Sequence, residues 1–509
     1  MEITHHDAVK APLWLLILLQ GAVSAASLVV EIVAGRMIAP YVGMSLYTWT
    51  AIIAVVLAGF SVGHWWGGRI AALPTPRALR LAGWTMAGAA ISTAAATLLL
   101  REASGPVLQT LTHPLAAITT LTAAAFFLPS LFAGVPAPIL AVAAMRGRAQ
   151  SERALGAMFA AGAVGAIAGT LLAGFLFVAW LGSVATLAVI TATYALAAAL
   201  FFRLGDVRRG EAVAASVGVV AAFAVGAAAL AAPRICDRES AYYCIRTVHL
   251  MGAPGEEIRL MVIDHLAHGL SGEADPSLML TDHGAMLDAL PRMRMGGADF
   301  AAFVIGGGSY SVPRAWAERG VREVVVSEID PEVTAQAVED FWFAEGAADV
   351  LHVDARAALQ ASDRRYDVIV ADAFHDIAAP AHLVTEEFFR LVRSRLTDRG
   401  VFAVNLIDYT GRLDALAAFV VTLREVFPSV EVWTDATPPA GNERRIFVLL
   451  ASDTDSPVSA VDIRAPQVKR FAALDAGFLD AIIARKGARK LTDDHAPIAR
   501  LMGLEPIID

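Results

Sequence analysis

The sequence predicts a two-part chain: an N-terminal bundle of about seven apolar helices suited to a bilayer, then an α/β domain built on a mostly parallel sheet. Three observations lead there. Hydrophobic residues make up 57% of the 509 residues, well above a soluble average. Nearly every uninterrupted apolar run lies before Pro233. Beyond it, short β-branched runs alternate with helical stretches, which is the pattern of a parallel sheet. The expected division is a membrane domain at 1–232, a linker with a small β-rich part at 233–300, and a nucleotide-binding domain at 301–509.

A helix that crosses the hydrocarbon core needs about 20 apolar residues. Seven stretches reach that length: Leu13–Val33, Tyr47–Trp66, Leu81–Leu100, Leu115–Val142, Ala154–Trp180, Ser183–Phe202 and Ala212–Ala232. The first is too long for a signal peptide and is read as a retained span. The fourth carries Pro129, Gly134, Pro136 and Pro138, and the fifth carries Gly162, Gly165, Gly169 and Gly174. In lipid, such residues mark either close helix packing or a broken helix beside a substrate path, and both readings stand. Glu31 lies deep in the first span with Arg36 near its end. An intramembrane carboxylate is costly, so the two form a capping pair or mark a functional path. His64, beside Trp65 and Trp66, reads as an interfacial anchor.

Loop charges set the orientation, because basic residues stay in the cytosol. The even loops hold nine arginines (Arg69, Arg77, Arg80, Arg146, Arg148, Arg153, Arg203, Arg208 and Arg209), the odd loops only Arg36 and Arg101. Seven spans then place the N-terminus inside and the soluble half outside a cell (inner) membrane. Cys236 and Cys244, the only cysteines, lie eight residues apart just after the last span, where an oxidising compartment would let them pair. A missed or re-entrant span would return the soluble half to the cytosol. Net charge is −9, and the soluble half has no basic block, so nucleic-acid binding is disfavoured.

In the soluble half, Ile258–Ile263 reads as a strand. Phe303–Ile305 is a second, followed by the loop Gly306-Gly307-Gly308-Ser309-Tyr310-Ser311 and a helix from Pro313. A strand, a glycine loop and a helix N-terminus make a nucleotide cradle, since only glycine lets the backbone come so close to a ligand. Val324–Ser327 is the next strand and ends at Glu328, 20 residues after Gly308, the distance at which an acid typically accepts the ribose hydroxyls. Val350–Val353 ends at Asp354-Ala355, and Tyr366–Ala371 ends at Asp372-Ala373-Phe374. Each of these acids alone is equally well an N-cap for the next helix. Together they line the rim where open α/β sheets bind ligands. The dinucleotide fingerprint lacks its third glycine, replaced by Ser311, so the expected ligand is a mononucleoside such as S-adenosylmethionine or its decarboxylated form.

From Ile258 to about Asp408 the order of motifs resembles the spermidine synthase family, and its membrane-fused branch most of all. The matching residues are Asp264 with His268, the three glycines, Glu328-Ile329-Asp330, Asp354-Ala355 and the run DAFHDIAAPAHLVTEEFF from Asp372. EIVAGRMIAPYVG from Glu31 and TDDHAP from Thr492 also match that branch. The resemblance implies a Rossmann-like, methyltransferase-type domain. Glu328 would hold the ribose, Asp354 the adenine amine and the glycine loop the donor's sulfonium side chain, while Asp372 would position and deprotonate an attacking amine.

Three positions depart from the family. Ser309 stands where an Asp meets the donor's ammonium, His375 where a second Asp is expected (with Asp376 next to it), and His283-Gly284-Ala285 where Tyr-x-Glu faces the acceptor. A polycationic acceptor needs several carboxylates to offset desolvation, so losing up to three acids weakens the polyamine reading. Ser309 would also tolerate a donor that keeps its carboxylate, which brings methyl transfer nearly level with aminopropyl transfer. His268, His283 and His375 are alternative general bases, plain polar lining, or, least favoured because they show no regular ligand spacing, a metal site. Asp493-Asp494-His495 reads as an active-site cap or a helix N-cap.

The leading expectation is a membrane-embedded transferase moving an alkyl group from an adenosyl sulfonium to a polyamine, another amine or a lipid-like nucleophile, with no metal. The rivals are a transporter whose synthase-like domain only senses the nucleoside, and a transporter–transferase hybrid marked by Glu31 and the Pro/Gly-rich fourth span. Oligomeric state is left open.

Overall fold

The computed structural model describes residues 12–146, 148, 150–207, 209–252, 256–374 and 379–502. It divides into two compact units: the N-terminal helices through Ile235 together with Glu239–Cys244, and Cys236–Arg238 with everything from Ile245 onward. Both cysteines are disulfide-bonded.

In the first unit, six segments are long and apolar enough to cross a membrane: Leu13–Val42, Leu46–Ala71, Thr75–Thr110, Pro114–Met145, Ser151–Leu204 and Arg209–Ala231. The seven stretches read from the sequence map onto six segments because two of them, 154–180 and 183–202, fall within the 54-residue Ser151–Leu204. That segment breaks at Gly182, whose φ of 75° and ψ of 172° leave the helix. The new helix start is capped from outside, with the Ser183 N–H donating to Glu239 Oε2 at 3.0 Å and the Ser183 hydroxyl donating to the same carboxylate.

Close packing accounts for several of the glycines. A Cβ on Gly165 or Gly169 would strike the carbonyls of Gly21 and Ala25 on the first segment, and one on Gly63 or Gly67 would strike those of Leu131 and Val135 on the fourth. Arg36 donates to the Tyr242 carbonyl and, at 2.9 Å, to the Ser240 carbonyl. The Glu31–Arg36 pair is not formed among the described residues, because the arginine is already committed to backbone oxygens.

After the helices comes a four-stranded sheet of β1 (Arg238–Glu239), β2 (Cys244–Met251), β3 (Glu257–Ile263) and β4 (Leu266–Gly272), in which β2–β3 and β3–β4 pair antiparallel. A nine-stranded sheet follows. Its strands are β5 (Ala301–Ile305), β6 (Glu323–Ser327), β7 (Asp349–Leu351), β8 (Tyr366–Ala371), β9 (Leu396–Tyr409), β10 (Ser429–Asp435), β11 (Arg444–Ser452), β12 (Ala460–Ala465) and β13 (Gln467–Ala473), in the order β12-β13-β10-β11-β9-β8-β5-β6-β7. β5 through β9 pair in parallel, and β9 onward pair antiparallel. β5 is buried at every residue, as a strand covered on both faces must be.

The topology decides where a ligand goes. From β5 the chain steps outward through β6 and β7, then crosses back to β8 on β5's other side. The crevice between the C-terminal ends of β5 and β8 is therefore a topological switch point, the usual binding place in such sheets. The expected strand at Val350–Val353 is shorter, ending at Leu351, because the Val353 carbonyl turns to accept from Ser327 Oγ at 2.7 Å.

Candidate active site

At the end of β5 the chain turns through Gly306 (φ 90°) and Gly308 (φ 51°) into the helix Ser311–Glu318. Both conformations favour glycine, and there is no room for a side chain. A Cβ on Gly306 would lie 2.8 Å from the Asp372 carbonyl, and one on Gly308 would lie 2.9 Å from that of His268. The loop is thus seated between the rim of β8 and the strand β4.

Glu328, just past β6, is buried and accepts from the Gly307 N–H at 2.8 Å and the Asp330 N–H at 3.0 Å. Burial pushes its carboxyl above the usual range, against these donors. The Gly308 N–H also donates to it, and three backbone donors still leave the carboxylate one acceptor site, so the residue braces the loop while able to accept a hydroxyl. Asp330 caps the helix Pro331–Asp340.

Asp354 caps the helix that Ala355 begins, accepting from the Ala357 N–H at 3.0 Å, and its second oxygen meets His382 Nε2 at 2.8 Å. Burial raises this carboxyl, but the hydrogen bonds from His382 and the backbone outweigh it and hold it below its ordinary value. Beside this pair, Arg356 grips Asp493 with two bonds of 2.7 and 2.6 Å, and Thr385 Oγ1 donates to Asp493 at 2.7 Å. TDDHAP is therefore a latch over the rim of β7. It does not cap the short terminal helix, whose N-cap is Pro497.

Asp372 directly follows β8, and its Oδ1 accepts from Asn405 Nδ2 at 2.8 Å. Its Oδ2 lies 3.9 Å from His283 Nε2, on the first turn of the helix Asp282–Met295. His268, on β4, meets the Leu266 carbonyl through Nδ1 at 3.0 Å. Burial pulls this imidazole below its ordinary value, helped by His283, while the Leu266 carbonyl, Asp372 and Asp264 oppose it. His268, His283, Gly306, Gly307, Ser309 and Asp372 line one narrow slot of about 30 Å³, enough for a water or a single small head group. Ser309 is buried, with its hydroxyl 2.7 Å from that of Ser311.

The remaining expected residues lie around this centre. Asp264 is buried in the β3–β4 turn with φ 52°. Phe374 packs on the domain core. Glu328 and Asp354 sit outside the slot, further along the rim. His375 and Asp376 lie outside the described residues. A larger hollow of about 530 Å³, lined by residues such as Asp288, Arg292 and Arg319, contains none of the expected residues and is away from the rim.

Two residues escape the sequence reading. Asn405 carries a signal, a lone amide inside the apolar run Val401–Ile407, and it is 4% exposed. His382 carries none beyond its place in the matching run.

A parallel sheet with a glycine loop, Glu328 bracing that loop and Asp372 at the switch point is the architecture of a methyltransferase-like α/β domain. Within it, residues 299–459 match the model of the spermine/spermidine synthase domain, so the C-terminal region carries a spermidine synthase domain. Among relatives, a probable polyamine aminopropyl transferase of Bifidobacterium longum is 30% identical over 197 residues, 35% of this chain and 43% of that one. A polyamine aminopropyltransferase of Synechococcus is 32% identical over 188 residues, 34% of this chain and 58% of its own. Polyamine aminopropyltransferase 2 of Pseudomonas aeruginosa is 34% identical over 160 residues, 30% and 45%. The chain thus spans about half the length of these relatives. The crystal structure of a probable spermidine synthase from Corynebacterium glutamicum aligns with 51% of this chain and 97% of its own at 19% identity, with a TM-score of 0.44.

Proposed function

We propose that this chain is a membrane-embedded transferase that moves an aminopropyl group from decarboxylated S-adenosylmethionine to an amine. The observation that carries the reading is the slot itself, in which the glycine loop, Asp372 and two imidazoles converge at the switch point of a spermidine synthase domain. In this reading Glu328 accepts the donor's ribose hydroxyls, Asp354 faces the adenine, and the loop from Gly306 to Ser309 carries the sulfonium side chain. Asp372, oriented by Asn405, holds the attacking nitrogen in line with the carbon next to sulfur. Such a displacement needs chiefly positioning and a base. The domain assignment is a bilayer domain at 1–232, a linker and small β part at 233–300, and a donor domain at 301–509. The exposed Phe159, Ile167, Phe175 and Trp180 support a lipid-facing surface.

Full-length protein in detergent, saturated with donor and given a primary amine, tests the assignment. Asp372→Asn is expected to lower product formation by at least about 100-fold, the usual scale for removing such a group; unchanged product formation would remove Asp372 from the transfer centre.

One observation favours a second reading. Among the described residues, no acid lines the slot beside the Ser309–Ser311 hydroxyl pair apart from Asp372, so a donor that keeps its carboxylate meets less repulsion, and methyl transfer becomes its use. Release of S-adenosylhomocysteine would identify that case. The disulfide-bonded cysteines and the nine-to-two loop charge support an extracytoplasmic soluble half, whereas cytosolic donor synthesis argues for the opposite side. Reporter fusions after Ala232 and at the C-terminus decide it.

A further inference from the structure

The slot holds a group whose geometry the spermidine synthase reading does not use. The Leu266 carbonyl can only accept, so His268 must carry its proton on Nδ1. Neutral His268 then presents a bare Nε2, which makes no hydrogen bond among the described residues. The Leu266 carbonyl anchors the ring through Nδ1, and the Gly308 turn lies against the His268 carbonyl, so the backbone of β4 and the glycine loop pack together. Across the slot, Asp372 has one oxygen committed to Asn405.

We propose that His268 Nε2, rather than Asp372, takes the proton from the attacking nitrogen, while Asp372 holds that nitrogen by its charge. The inference rests on the transferase reading. An ammonium gives one proton to Nε2, and the freed lone pair forms the new C–N bond. The C–S bond breaks with its electrons passing to sulfur, leaving a neutral thioether and a charged secondary amine, and the imidazolium then returns its proton to water.

The electrostatics fit this division of labour. An unperturbed imidazole is a stronger base than an unperturbed carboxylate by about two to three units, and the burial of His268 takes back part of that difference. Burial favours the neutral form of His268, and the facing acids Asp372 and Asp264 stabilise the imidazolium once it forms, while the neighbouring imidazoles His283 and His265 oppose it. His265, the next imidazole along the chain, is itself pushed down to about 4 by burial and does not compete for the proton.

The test uses the full chain in detergent with decarboxylated S-adenosylmethionine and, separately, 1,4-diaminobutane and butylamine. His268→Gln is expected to lower kcat by about 100-fold or more, to leave the donor KM within about threefold, and to abolish the acid limb of the pH profile. His268→Ala is expected to regain turnover with added imidazole, which a merely structural role would not produce. Asp372→Asn is expected to raise the acceptor KM and keep the acid limb. His268→Gln with an intact acid limb and a rate within about tenfold of the parent overturns the inference while leaving the transferase reading in place. A parent protein that consumes no donor overturns both. A folding defect in His268→Gln is detected by its melting temperature, and His268→Asn, which keeps a donor toward Leu266, is then judged by the same criteria.

Discussion

Replacing Asn405 with leucine separates activity from stability. The side chain is 4% exposed, its Nδ2 donates to Asp372 Oδ1 at 2.8 Å, and its Oδ1 is buried with no partner among the described residues. A hydrogen bond to a carboxylate contributes about 1.5–3 kcal/mol, whereas an unsatisfied buried oxygen costs about 1–3 kcal/mol. Leucine removes both at nearly constant volume, and Asp372, about a quarter exposed, can take a water in place of the lost donor. The two contributions nearly cancel, so unfolding free energy should move by no more than about 1 kcal/mol. Turnover should not be spared. If the bond serves to aim Asp372 in the transition state, its loss lowers kcat/KM by roughly 10- to 150-fold. The assay pairs a thermal melt with product quantification at subsaturating acceptor. A variant that melts many degrees lower yet turns over normally would show Asn405 to be a packing residue and not the support of the site.

Other outcomes follow from the same geometry. Gly306→Ala should cost about 1–2 kcal/mol of stability from the positive φ alone, and more because its Cβ meets the Asp372 carbonyl; donor titration by calorimetry should show binding lost, and a parent-like affinity would contradict the cradle. Asp493 is pulled down to about 2 by its hydrogen bonds from Arg356 and Thr385 against the effect of burial. A folded value below the unfolded one means stability that is complete above about pH 4 and lost as pH falls toward about 2; acid-unfolding curves of Asp493→Asn should lack that component, and superimposable curves would show that the latch contributes nothing. His382→Ala should weaken donor affinity more than acceptor affinity, since it removes the partner of Asp354; equal donor affinity in parent and variant would detach that pair from the donor.

How much of this is legible in the sequence follows from the range of the forces involved. The strands before Glu328 and Asp372 are readable because apolar periodicity and the strand-to-glycine transition are local. Glu328, Asp354 and Asp330 illustrate the boundary: chain order puts them on one rim, yet their local duties of bracing a loop or capping a helix emerge only with the backbone in place. β7 stops two residues short of its expected end because a turn stabilised by Ser327 overrides the β-branched Val353. The boundary between the stretches 154–180 and 183–202 falls on Gly182, where the helix breaks, yet the apolar run alone does not show that one long helical segment continues on both sides of it. Asn405 comes from a strand 33 residues after Asp372, and Arg356 and Asp493 are 137 apart, separations over which no local pattern speaks.

Identifying the nucleoside that leaves the site bears most directly on aminopropyl transfer. Purified full-length chain would be incubated with decarboxylated S-adenosylmethionine and a primary amine, and the products resolved by mass spectrometry. Aminopropyl transfer yields 5′-methylthioadenosine together with an equal amount of aminopropylated amine, both reduced at least about 100-fold in Asp372→Asn. Unchanged donor, or release of S-adenosylhomocysteine from S-adenosylmethionine as the sole turnover, would contradict it.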